Sequence, residues 1–101
     1  AAPTSILDVL GSVAFAYEEK TTDYSLGTYD HQVNVTANTV TITLPSAAGI
    51  AGRMYSIKNT GTGTVTVDGT GAETIDGALT QTVDQWENIK IMSTGAAWII
   101  I

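Results

Sequence analysis

The sequence predicts an all-β protein: a small antiparallel β-sandwich or barrel-like domain of about eight short strands, led by an N-terminal arm or short helix. Three observations predict it. Threonine is the commonest residue type, 17 of 101, and Thr, Val and Ile suit strands because a branched Cβ packs well on a pleated surface. Thr39-Val40-Thr41-Ile42-Thr43-Leu44 alternates strictly, with three apolar side chains on one face and three threonines on the other. Glycine-bearing turn signals then recur at Asn59-Thr60-Gly61-Thr62-Gly63, Asp68-Gly69, Asp76-Gly77 and Thr94-Gly95.

The alternation of Thr39 to Leu44 signals a half-buried antiparallel strand, and Pro45 stops it because proline cannot donate to a ladder. Arg53 to Lys58, with Tyr55 and Ile57 inward, and Thr64 to Asp68, with Val65 and Val67 inward, read as a β-hairpin around the glycine-rich loop. Glu73 to Asp76 reads as a short strand. Leu79 to Val83 and Asn88 to Met92 follow, the latter with Ile89 and Ile91 inward. Ala96 to Ile101 closes the domain and carries Trp98. In the first third, Ser5-Ile6-Leu7-Asp8 fits a helix N-terminus ended by Gly11, and an extended arm packed on a neighbour fits equally. Val13 to Glu18 and roughly Tyr24 to Val35 read as strands. Residues 1–21 are thus expected as an arm or short helix plus a first strand, and 22–101 as the β-module, within one domain.

Composition narrows the function classes. Ten acids against four bases give a net charge of −6, and Lys20, Arg53, Lys58 and Lys90 are scattered along the chain. A phosphate backbone requires clustered positive charge, so neither nucleic acid nor an anionic membrane surface is an expected partner. No cysteine is present, which removes disulfides, thiolate metal sites and cysteine nucleophiles. No apolar run reaches the roughly 18 residues of a bilayer span, and no signal peptide is legible. Charged residues make up 14%, against a usual share of about 25%. So little charge points to a surface partly given to partners. The apolar end Trp98-Ile99-Ile100-Ile101 and the apolar Ile6, Leu7, Val9 and Leu10 fit the same idea, because continuous apolarity in a strand calls for cover on both faces; a central strand in a thick monomer core is the alternative.

No residues assemble into a recognisable active site. Asp30 and His31 are adjacent, so on a strand they point to opposite faces. Glu18, Glu19, Asp84 and Glu87 are acids without a defined separation across a cleft. Asp68, Glu73 and Asp76 are the one candidate calcium cluster, three carboxylates on glycine-rich turns, although their spacing does not fit an EF-hand and Asp-Gly is itself a common turn. Gly61-Thr62-Gly63 and Gly69-Thr70-Gly71 precede strands, not the helix a phosphate loop needs. Trp86, flanked by polar residues where a turn falls, is the candidate platform for stacking on a sugar; it equally suits the core edge or a subunit contact. No catalytic residue and no cofactor is expected.

From about Thr22 to Ile101 the chain resembles a small β-module of phage tail fibres, tail spikes and related virion proteins. The resemblance rests on Thr22-Asp23-Tyr24, Val40-Thr41-Ile42-Thr43-Leu44-Pro45, Gly52-Arg53-Met54-Tyr55-Ser56-Ile57-Lys58-Asn59-Thr60-Gly61, Val65-Thr66-Val67, Thr74-Ile75-Asp76-Gly77 and Gly95-Ala96-Ala97-Trp98-Ile99-Ile100, in that order. It implies a non-enzymatic homotrimeric module of a virion, in contact with other virion proteins, that connects or displays host-attachment parts. Fibre modules usually lie within longer chains, so a fragment and a free-standing virion protein are both expected forms. Asn34-Val35-Thr36 matches a glycosylation sequon, which would carry no meaning in a phage protein. Two further readings stay open: a carbohydrate-binding β-sandwich for host surface glycans, and a trimeric capsid decoration protein.

Overall fold

The computed structural model describes residues 7–101. Nine strands form: β1 (Tyr17–Lys20), β2 (Tyr24–Ser25), β3 (Gln32–Val35), β4 (Thr41–Thr43), β5 (Met54–Asn59), β6 (Val65–Asp68), β7 (Thr80–Val83), β8 (Asn88–Ser93) and β9 (Trp98–Ile100). No helix forms among the described residues. The expected helix start at Ser5 and Ile6 lies outside them, and Leu7 to Ala16 carries neither helix nor strand.

The strands make two sheets, β1-β3-β5-β8-β9 and β2-β4-β6-β7. The first six strands alternate between the sheets, each lying parallel to the strand two before it: β1 on β3 on β5, and β2 on β4 on β6. The chain therefore winds as three rungs of a two-sheet coil, the arrangement of a short β-solenoid. The last three strands reverse it. β7 pairs antiparallel with β6, β8 with β5, and β9 with β8.

This corrects the antiparallel expectation. β4 has parallel partners on both sides, and the expected hairpin does not form, because β5 and β6 belong to different sheets. The glycine-rich loop between them crosses from one sheet to the other. Period-2 alternation reports which face of a strand is buried, and a buried face looks the same whether its neighbour runs parallel or antiparallel. Nor do the strands close into a barrel, since each sheet keeps two edges. Two smaller expectations also shift. Tyr24 to Val35 splits into β2 and β3, and Glu73 to Asp76 reduces to single bridges from Ile75 to Ala78 and to Trp98.

The buried faces are those the alternation predicts. Val40, Ile42, Leu44, Tyr55, Ile57, Val65, Val67, Ile75, Ile89, Ile91 and Trp98 are all buried in one core between the sheets. Tyr55 and Trp98 meet with ring centroids 5.7 Å apart, and the Tyr55 hydroxyl donates to the Gly27 carbonyl at 2.9 Å.

Asn59, wholly buried at the end of β5, ties the sheets together. Its Nδ2 donates to the Gly63 carbonyl at 2.7 Å and to the Val83 carbonyl of β7 at 2.9 Å, and its Oδ1 accepts from the Gly61 amide at 3.0 Å. Successive crossing loops stack directly on one another. A Cβ on Gly63 would collide with the Asn38 carbonyl, and one on Gly61 would sit 2.9 Å from the Ala37 amide nitrogen. The rung-on-rung approach thus requires glycine at both positions.

Candidate functional site

The candidate residues for chemistry are dispersed. Asp30 accepts hydrogen bonds from the Tyr24 hydroxyl at 3.0 and 2.9 Å and from the Gly27 amide at 2.7 Å. His31 instead stacks on Phe15, centroids 4.4 Å apart. The neighbours share no site. Glu18 pairs with Lys20 at 3.6 Å, Glu19 accepts from the Tyr17 hydroxyl at 3.0 Å, and Glu87 accepts from the Asp84 amide at 2.8 Å inside the β7–β8 turn.

The three calcium candidates also go separate ways. Glu73 clamps the Ser46 hydroxyl at 2.8 Å and the Ala47 amide at 2.9 Å. Asp76 accepts from the Ile100 amide at 2.9 Å. Asp68 ends β6, where its carbonyl accepts from the Leu44 amide at 2.8 Å. Among the described residues no three His, Cys, Asp or Glu side chains converge on a point.

Trp86 stands out from the fold. Its side chain is 65% exposed, and its backbone is left-handed at φ 71°. That conformation is rare for a bulky residue and costs on the order of 1–3 kcal/mol. The turn holds it there by its backbone: its amide donates to the Asn59 carbonyl at 2.6 Å, and its carbonyl accepts from Lys58 Nζ at 2.5 Å.

Lys58 belongs to a groove of about 400 Å³ on the outer face of the five-stranded sheet. Strand register builds it in two rows. Tyr17, Gln32, Ser56 and Lys90 align across β1, β3, β5 and β8, and Glu19, Asn34, Lys58 and Asn88 form the next row, in which Glu19 lies at the β1 edge, outside the groove lining, and takes the Tyr17 hydroxyl. Asn34 Nδ2 donates to the Tyr17 hydroxyl at 3.1 Å, and Asn34 Oδ1 accepts from Thr60 at 3.0 Å. Asn88 Oδ1 accepts from Ser56 at 3.0 Å and from Gln32 Nε2 at 3.4 Å. These contacts orient the amides while Asn88 stays exposed. The groove holds two of the chain's four basic residues and is lined by no carboxylate.

Sequence reasoning did not group these residues. Each is the polar member of an alternating strand, which marks it as outward-facing, but no local signal says which outward residues become neighbours. Only the parallel stacking of β1, β3 and β5, with the antiparallel pairing of β8 on β5, does.

A second cleft, of about 410 Å³, opens between the two sheets where β7 faces β8 and β9. Val83, Ile89 and Ile100 give it an apolar floor. Ile99 and Ile100 remain 41% and 39% exposed within the chain, so the apolar C-terminal strand is not covered on both faces by its own fold. On the arm, Val9, Leu10, Val13 and Phe15 are exposed as well.

Together these features define the chain as a two-sheet parallel β-coil closed by an antiparallel return, with a polar groove on one face and uncovered apolar side chains on its arm and last strand. No family model, curated protein or solved structure matches it.

Proposed function

We propose that this chain is a non-enzymatic structural module of a phage tail fibre or tail spike, which assembles as a homotrimer in the virion and connects or displays host-attachment parts. The observation that carries this reading is the apolar surface one chain leaves uncovered. Val9, Leu10, Val13 and Phe15 on the arm, with Leu79, Ile99, Ile100 and Ile101 on the body, are large apolar side chains in water. Concentrated apolar surface of this kind marks an association site. A second and third copy cover it if each arm lies along a neighbour's body. The fold suits the role, since stacked rungs continue readily into further rungs of an elongated particle.

Light scattering on a sizing column tests the proposal. The expected mass is three times the 10.5 kDa of one chain. A stable monomer at micromolar concentration overturns the homotrimer.

A further inference from the structure

We infer that the outer-face groove of the five-stranded sheet is a binding site for a carboxylate-bearing saccharide, with Lys58 and Lys90 facing the acid group and Trp86 at the rim. The inference does not rest on the trimer.

Charge is the first argument. In a chain of net charge −6, a groove with two lysines and no lining carboxylate is a local reversal of sign. Neither ammonium group forms an ion pair among the described residues, where the only pair is Lys20 with Glu18. An anion entering the groove therefore meets cations that no protein carboxylate already neutralises.

The amides are the second argument. Gln32 and Asn34 on β3 and Asn88 on β8 lie in two rows on either side of β5, and neighbouring strands in a sheet lie about 4.8 Å apart. Each amide presents both donors and acceptors, which matches the donor-and-acceptor hydroxyls of a pyranose. Internal hydrogen bonds fix the Asn88 carbonyl and leave its amino group pointing to no acceptor among the described residues. An extended peptide would instead bind by pairing with a sheet edge. The groove lies on a sheet face, where the backbone groups are already used in the ladders.

Aromatic placement is the third. Tyr17, 56% exposed, stands at the β1 end of the groove. Trp86 lies in the β7–β8 turn, two residues before Asn88, with its backbone carbonyl held by the groove's own Lys58. Aromatic faces stack on the apolar faces of sugars. The left-handed backbone of Trp86 is a cost that the fold does not require, because glycine serves that conformation better. Strain kept at an exposed aromatic next to a polar groove is what a ligand contact explains.

The test is a titration of isotopically labelled full-length protein with trigalacturonate, followed by backbone amide shifts. Its methyl ester and a triglutamate peptide serve as controls. The expected result is saturable shifts confined to β1, β3, β5, β8 and the β7–β8 turn, with affinity falling at least about tenfold for the ester and for Lys90→Gln, whose ammonium group has no ion-pair partner among the described residues. Trp86→Gly is expected to weaken binding several-fold while keeping the spectrum of a folded protein. No saturable shift up to roughly 10 mM, beyond the millimolar constants that a few exposed hydrogen bonds support, overturns the site. Equal binding of the ester, or of the Lys90→Gln protein, overturns the role of charge. Equal binding of triglutamate overturns the saccharide in favour of an unspecific anion patch. Groove amides protected from exchange by a neighbouring copy overturn an open site. The mass of the same sample is read separately, so a failed titration and a failed trimer are told apart.

Discussion

At the scale of single residues, buried polar side chains carry the organisation that apolar burial alone does not specify. Asn59 holds a carbonyl and an amide of the β5–β6 loop and a carbonyl of β7. Asn59→Ala removes the side-chain donor from the Gly63 and Val83 carbonyls, while the Gly61 amide keeps the Val35 carbonyl at 3.2 Å; each buried group left unsatisfied costs about 1–3 kcal/mol. The expected loss is therefore about 2 kcal/mol, seen as a lower denaturant midpoint. Asn59→Asp is expected to destabilise as well, since a carboxylate cannot donate to Gly63 and Val83. A loss below about 1 kcal/mol in Asn59→Ala would show the tie to be dispensable.

Tyr24 gives a pH-dependent counterpart. Its hydrogen bond to Asp30, then partial burial, then the charges of Asp30 and Glu18, push its phenol up from 10.0 to about 12. A folded-state pKa above the unfolded one favours the protonated form in the fold. The contribution of this contact is thus complete below pH 10 and lost as pH rises from there through about 12. Stability, measured by denaturation across that range, is expected to fall more steeply for the native sequence than for Tyr24→Phe. The phenolate absorbance is expected to show Tyr24 ionising late, and earlier once Asp30→Ala removes the acceptor and its charge. Parallel pH curves for the two proteins would refute this.

Elements stack here through their loops as much as through their ladders. The β5–β6 crossing lies on the β3–β4 crossing so closely that Gly63 has no room for a methyl group against the Asn38 carbonyl. Gly63→Ala must push the rungs apart or bend the loop, and overpacking of this kind costs about 1–3 kcal/mol. A glycine in open space gives the control. A methyl group on Gly49 would meet nothing within 4 Å, so the cost of Gly49→Ala comes from its φ of +76° alone. Thermal unfolding of the two variants separates steric stacking from backbone strain. The groove belongs to this scale too, because its two rows exist only where β1, β3 and β5 stack in register.

For the whole molecule, the apolar arm and the exposed isoleucines set the association state. Replacing Val9, Leu10, Val13 and Phe15 by serine removes the exposed apolar side chains in front of β1 and touches no buried core position. The variant is expected to keep its β-sheet spectrum and to run as a monomer. An unchanged mass would place the contacts elsewhere, on the Ile99 to Ile101 strand. Apolar area is the right quantity to change, because fully burying one such side chain contributes about 1.5–3 kcal/mol, whereas an exposed charged pair contributes about 0–1 kcal/mol.

Much of the fold is legible in the residues. Alternation in Val40, Ile42 and Leu44, and in Val65 and Val67, marks the buried face because side chains on a strand alternate with period two whatever lies beside it. Asp-Gly and Asn-Thr-Gly mark where the chain bends, because their conformational preferences are local. Trp98 is readable as core, and Trp86 as a residue at a turn among polar neighbours. Strand partnership is a different kind of fact. That β5 leaves its sequence neighbour β6 for β3 and β8 depends on how the whole chain coils, and no local preference distinguishes a sheet crossing from a hairpin loop. The same holds for the groove. Gln32, Asn34, Lys58, Asn88 and Lys90 are each marked as outward-facing by their own strand, and only the tertiary structure, by stacking those strands in register, brings them to one surface.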